Sequence, residues 1–226
     1  MTVRPLSRSV EDYLKAIYAL CESDDPASTS AIAEALDIQP ASVTGMIKRL
    51  AESGLVEHVP YKGVRLTDAG STEALKILRR HRILETYLCE RLGYSWDDVH
   101  DEAERLEHAA SDMLIEQMAR ALDFPSHDPH GAPIPTRAGD IEPTDLATLA
   151  DARAGDRVLI RAVRDEDSSD LRSMAEGGLV PGARVVVNAD PGVDGFVNVS
   201  VTGDTEARRV PDELARHIYV VPDEGA

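Results

Sequence analysis

The period of the apolar residues changes once along this chain, and that change limits the folds open to it. From residue 9 to about 123, apolar side chains recur at helical spacing. From 153 to 222 they form short β-branched runs separated by Gly, Pro and Asp. Between them lies PSHDPHGAPIPTRAGDIEPTD, residues 125–145, whose five prolines read as a linker. A helical front and an all-β back predict an α+β chain of separate domains. Its 226 residues suffice for two or three small cores.

The front has further order. SVEDYLKAIYALCE, residues 9–22, predicts a helix with Tyr13, Leu14, Ile17, Tyr18 and Cys21 on one face. Ser9 is its expected N-cap, with Asp12 three residues on as the capping partner. Asp24-Asp25-Pro26 breaks it. TSAIAEAL (29–36) and ASVTGMIKRLAESGL predict two more helices across the turn DIQP. The second carries Val43, Met46, Ile47, Leu50 and Ala51 as its apolar stripe and stops at Gly54. LVEHV and VRLT then form a hairpin across Pro60-Tyr61-Lys62-Gly63. Helix, turn, helix, hairpin is a winged helix-turn-helix. Further helices are expected from Thr67-Asp68 to about 92, from Ser95 to about 108, and over ASDMLIEQMARALD. In the back, RVLIRAVR, ARVVVNA, FVNVSVT and IYVV predict a small barrel with a short helix near PDELARH.

The net charge of −17 would set this chain against nucleic acid if it were uniform. It is not: residues 1–76 carry −3, 77–124 carry −5 and 125–226 carry −9. Lysine is confined to Lys15, Lys48, Lys62 and Lys76, while Arg and Asp abound. The pattern reads as adaptation to a high-salt cytoplasm, with an ordinary acidic protein as the plainer alternative. No apolar run approaches the ~18–20 residues that span a bilayer, and the N-terminus lacks a signal-peptide core. Cys21 and Cys89 form no CxxC and no disulfide framework. A cytoplasmic protein without a membrane partner is expected.

The chemistry concentrates in two segments. His81 and Glu85 are i, i+4 on one predicted helix; His100, Glu104, Glu107 and His108 fall at i, i+4, i+7, i+8 on the next. Beside them Val99, Ala103, Leu106 and Ala110 form a second, core-facing stripe. A half-buried cluster of acids is costly unless neutralised, and imidazole with carboxylate suits a first-row divalent ion. The alternative is a solvated charged face, with His81 a hydrogen-bonded half-core histidine. The order differs from HExxH, so a metallohydrolase using Glu104 or Glu107 as base finds little support.

These segments together are recognisable. SVEDYLKAIYAL, ASVTGMIKRLAESGLVE, RRHRILETYL, VHDEAERLEH and GAPIP make the chain resemble the diphtheria-toxin-repressor family of iron- and manganese-dependent transcriptional regulators, from residue 9 to about 221. The resemblance implies a winged helix-turn-helix DNA-binding domain (1–73), a helical metal-binding and dimerisation domain with linker (74–145), and an SH3-like, FeoA-like β-barrel (146–226). It implies no enzyme, but a metal-dependent repressor with Mn2+ or Fe2+ at two sites per subunit. The partners it implies are a second copy of the chain and a palindromic double-stranded DNA operator of metal-uptake genes, with no organic small-molecule substrate. An iron-specific sensor or a dual activator and repressor is the alternative within the class. A winged-helix regulator with an organic ligand is the alternative outside it.

Carried over by position, the primary site would be Asp12, Glu104, Glu107 and His108. The ancillary site would be His81, Glu85 and His100 with Asp167 and Asp170, for which Asp165 or Glu166 can substitute. The iron-sensing branch has Met and Cys where this chain has Asp12 and Glu104, so the primary site looks manganese-type, and hard oxygen in place of sulfur agrees. The manganese branch has a second carboxylate where this chain has Lys15, which argues against a binuclear site. The recognition helix would span 40–53, with Gln39, Ser42 and Thr44 toward bases or phosphates and Lys48 and Arg49 toward phosphates. Lys62 and Arg65 would grip from the wing. Ala41 and Gly45 stand where relatives carry Pro and Gln, so base preference is expected to differ.

Overall fold

The computed structural model describes residues 6–21, 25–143, 145–164, 167–189, 195–204 and 206–223. Within them the chain forms two compact units, and the long central helix runs from one into the other.

The first unit comprises Met1–His81, Leu106–Asp112 and Pro135–Ile141. Its α1 (Arg8–Leu20), α2 (Thr29–Ala35) and α3 (Pro40–Glu52) precede an antiparallel hairpin, β1 (Val56–Val59) and β2 (Gly63–Leu66). Tyr13, Leu14 and Ile17 of α1, Ile32 of α2, and Val43, Met46, Ile47 and Leu50 of α3 share one core with Val56 and Val64. The apolar stripe of α3 is thus spent inward, and its remaining positions face solvent. α1 starts earlier than expected: Ser7 is the N-cap, without a side-chain hydrogen bond, and Ser9 is already helical. Asp12 therefore has no capping role. The predicted helix end at Glu22 lies outside the described residues. Gly63 is required by close approach, since a Cβ there would fall 2.1 Å from the Ala27 carbonyl oxygen.

α4 (Asp68–Leu92) gives its first half to this unit and its second to the other. The second unit is Arg82–Arg105, Met113–Ile134 and Glu142–Ala226. It holds α5 (Val99–Leu106), apart from its last residue, and most of α6 (Asp112–Ala121). α5 is shorter than the segment expected from Ser95 to 108. Ser95 and Asp98 close a turn instead, with Ser95 Oγ 3.0 Å from Asp98 Oδ2. The Trp96 indole donates to the Pro129 carbonyl at 2.9 Å, and Asp97 takes Arg172 Nε at 2.7 Å. Beyond Leu106 the chain turns, so Glu107 and His108 stand just past the helix.

The β part is a six-stranded antiparallel sheet in the order β3 (Ala147–Thr148), β8 (Ile218–Pro222), β4 (Arg157–Val163), β5 (Arg184–Ala189), β6 (Phe196–Val201), β7 (Ala207–Pro211). Register shifts at Ile160/Ala162 and Val187/Ala189 bend it around Leu149, Ile160, Val187, Val199 and Ile218. The short helix expected near PDELARH is α8 (Asp212–Ala215). α7 (Ser168–Glu176) was not anticipated; Asp167 caps it, and Leu171 and Met174 fill the core.

Residues 125–134 are not a free linker. Asp128 and Ile134 backbone amides bond to Ala132 and Ser126 carbonyls, and Val163 N donates to His130 O at 2.9 Å. Gly131 has φ 86°, and a Cβ there would meet the Arg161 carbonyl oxygen at 2.1 Å. The prolines set a conformation that its neighbours then hold.

Two glycines test this packing. A Cβ at Gly70 would fall 1.9 Å from the Leu55 carbonyl oxygen, whereas Gly45 has nothing within 4 Å. Thermal unfolding should show Gly70→Ala destabilised by about 1–3 kcal/mol and Gly45→Ala stabilised by about 0.5–1 kcal/mol.

Candidate metal centre and nucleic-acid interface

Within the first unit, α1 presents two acids to a segment nearly a hundred residues away. His108 lies between them, its side chain 8% exposed. Its Nδ1 is 2.7 Å from Glu11 Oε2; its Nε2 is 2.8 Å from Asp12 Oδ1 and 3.4 Å from Glu107 Oε1. Asp12, Glu107 and His108 thus offer three ligand atoms within 4.8 Å of one another. A carboxylate only accepts, so the Glu11 contact places a proton on Nδ1. Nε2 is buried, lacks a hydrogen-bond partner and faces carboxylate oxygens. Only a proton or a cation between these groups removes the repulsion. The donor set therefore fits a divalent ion, and imidazole with carboxylates suits Mn2+, Fe2+ and their neighbours.

Glu107 is completely buried. Its Oε2 accepts from His81 Nδ1 at 2.7 Å and from Lys15 Nζ at 3.1 Å, and Oε1 lies 3.3 Å from the same ammonium. Burial pushes its carboxyl up, but the His81 hydrogen bond and the Lys15 charge outweigh burial and hold it below the ordinary value. His81, expected with Glu85 and His100, directs its Nδ1 to Glu107, a contact that leaves that expectation standing. Glu104 stands half-buried on α5.

In the second unit Glu85 is also fully buried. His100 Nδ1 is 3.1 Å from its Oε1, and His130 Nδ1 is 3.9 Å from its Oε2. His130 is fully buried; its Nε2 donates to the Trp96 carbonyl at 2.9 Å, and its Nδ1 is the ring nitrogen on the Glu85 side. Asp128 accepts the His130 amide and pairs with Arg82 at 3.3 Å. Sequence reasoning counted His130 among linker histidines and missed it; the available signal was its place beside GAPIP. Cys89 is no competing ligand: burial, then the charges of Glu85, Glu90 and Asp128, push its thiol up to about 11. Asp167 caps α7, and Asp170 Oδ2 is 3.1 Å from His217 Nδ1; among the described residues neither joins a ligand grouping. Asp165 and Glu166 lie outside the described residues.

On the exposed face of α3 stand Ser42, Thr44, Lys48 and Arg49, with Gln39 as its N-cap. Lys62 and Arg65 are exposed on the hairpin. Lys48 is paired only at 4.0 Å, with Glu52, and both are exposed, so the lysine is available to a phosphate.

Family models cover most of the chain. The iron-dependent repressor N-terminal DNA-binding domain matches residues 5–64, the iron-dependent repressor metal-binding and dimerisation domain matches 67–136, and the FeoA domain matches 147–222. The iron-dependent repressor IdeR of Mycobacterium tuberculosis is 30% identical over 224 residues, covering 94% of this chain and 96% of that protein. The diphtheria toxin repressor of Corynebacterium glutamicum is 28% identical over 234 residues, covering 99% and 100%. A solved manganese-dependent transcriptional repressor in complex with manganese superposes with a TM-score of 0.89 at 38% identity, covering 95% of this chain and all of that one. The chain belongs to the diphtheria-toxin-repressor family of metal-dependent, DNA-binding transcriptional regulators. The family dimerises through its metal-binding domain. No helix among the described residues is long and apolar enough to cross a membrane.

The depressed Glu107 carboxyl fixes a sign. Its folded value lies below its unfolded one, so its stabilising contribution is present above the unfolded value and is lost as pH falls through the folded value. Denaturant titrations of metal-free protein between about pH 2 and 5 should show stability rising with pH. Glu107→Gln should flatten that slope. An unchanged slope would contradict the Lys15–His81 assignment.

Proposed function

We propose that this protein is a manganese-responsive repressor, with Fe2+ as the competing effector, that acts as a homodimer on a palindromic operator of metal-uptake genes in the cytoplasm. The observation that carries the reading is the meeting of Asp12, from the helix beside the DNA-binding core, with Glu107 and His108 from the dimerisation region. Family resemblance adds Glu104 as a fourth ligand. A divalent cation there supplies the positive charge that this ligand set lacks. Carboxylates at 12 and 104, in place of the iron branch's sulfur, favour Mn2+. Lys15 already holds Glu107 with a resident ammonium, which supports one ion in this centre rather than two.

A second ion per subunit is proposed at Glu85 and His100, with His81, Asp167 and Asp170 as the resemblance implies. The buried His130 imidazole beside Glu85 supports this second centre from the protein's own geometry. Use of Asp167 and Asp170 would require the α7 cap and the His217 pair to be exchanged for ligation.

The switch follows from linkage. α1 packs on α2 and β2, and α2 on α3, so holding α1 also holds the recognition helix. Asp12 joins α1 to the segment of Glu107 and His108. Ligation can favour one placement of α1 only by the difference in ion affinity between placements. Gln39, Ser42 and Thr44 would then meet bases or phosphates, and Lys48, Arg49, Lys62 and Arg65 the backbone.

Asp12→Ala tests the coupling. Operator binding at a fixed Mn2+ concentration should weaken at least tenfold, about 1.4 kcal/mol, while the metal-free unfolding temperature stays unchanged. A variant that responds fully to metal would contradict the mechanism.

A further inference from the structure

Glu11 is an acid beside the metal-ligand candidates that the ligand set does not use. It is 93% buried by its 7% exposure. Its two oxygens are both engaged: Oε1 accepts from Arg80 Nη1 at 3.0 Å, and Oε2 takes His108 Nδ1 at 2.7 Å. Glu11 and Asp12 are consecutive on α1, about 100° apart around the helix. They therefore reach the same imidazole from opposite edges, Glu11 at Nδ1 and Asp12 at Nε2.

We propose that Glu11 is a positioning residue that fixes His108 in its Nδ1–H tautomer and so makes Nε2 a ligand atom. The inference rests on the reading above that Asp12, Glu107 and His108 hold a divalent ion. A neutral imidazole with no such partner divides between two tautomers, and the Nε2–H form cannot ligate at Nε2. Glu11 removes that choice, because its carboxylate can only accept. Its negative charge also makes Nε2 a stronger donor toward an ion. Arg80 completes the arrangement by sustaining a buried carboxylate that would otherwise be costly. Arg80, Glu11 and His108 form a connected chain across α4, α1 and the segment after α5. The adjacent acids of SVED do not reveal which is ligand and which is buttress; only the ring between them does.

Two measurements test this on the full-length chain. Long-range nitrogen–proton NMR of metal-free wild type should find a His108 ring proton on Nδ1, the nitrogen that faces Glu11. Equilibrium dialysis against Mn2+ should find binding about 100-fold weaker in Glu11→Ala and about tenfold weaker in Glu11→Gln, which keeps an acceptor but not its charge. Stoichiometry should be unchanged. A wild-type Nε2–H tautomer, or variants that bind within twofold of wild type, would overturn the proposal, even if their unfolding temperatures fall. If Glu11→Ala does not fold, Glu11→Gln and the wild-type tautomer still decide. Wild type that binds neither Mn2+ nor Fe2+ would instead overturn the metal reading itself, and this inference with it.

Discussion

Two carboxylates in the first unit are buried, and each is held by one basic side chain and one imidazole brought from distant parts of the chain. Glu107 rests on Lys15 and His81; Glu11 rests on Arg80 and His108. A buried ion that loses its partner costs about 3–5 kcal/mol, so these contacts constrain α1, α4 and the turn after α5 together. Such pairs are poor sources of net stability, because hydrophobic replacements often do as well. Their value here is specificity: they hold an imidazole nitrogen and two carboxylates facing one another. On the proposed reading, a divalent ion would supply the positive charge that this arrangement lacks.

The same constraint links metal to DNA. The candidate ligand atoms lie on α1, which packs in the DNA-binding core, and on a segment of the dimerisation region. The core residues of α3 face inward, so its outer face is free to present Ser42, Thr44, Lys48 and Arg49. The acidic balance that argues against nucleic acid in the whole chain is weakest in residues 1–76, where those side chains lie. An acidic protein can then approach a phosphate backbone through its least acidic third.

Much of this was legible in the sequence because it is periodic. The α3 stripe from Val43 to Leu50 and the PYKG hairpin mark the winged helix in the sequence itself. The ligand candidates were legible by resemblance and, in part, by spacing. The rest depended on contacts between distant residues. Ser95 reads as a helix start, but a turn with Asp98 and the pull of Pro129 on Trp96 delay α5 to Val99. Residues 125–134 read as linker because prolines mark loops, yet the Arg82 guanidinium of α4 and the Val163 amide of β4 hold them, and His130 is buried. Glu11 reads as one more acid on a charged helix edge. Its role depends on which side of a ring it touches, and no one-dimensional pattern carries that.

Fluorescence anisotropy of chelator-stripped protein on DNA from its own promoter region, titrated with Mn2+ and, anaerobically, with Fe2+, tests the central claim most directly. Binding that requires metal, with a midpoint reached at lower free Mn2+ than free Fe2+, is the predicted result. Equal affinity with and without metal would make the Asp12–Glu107–His108 cluster a structural feature and contradict the account.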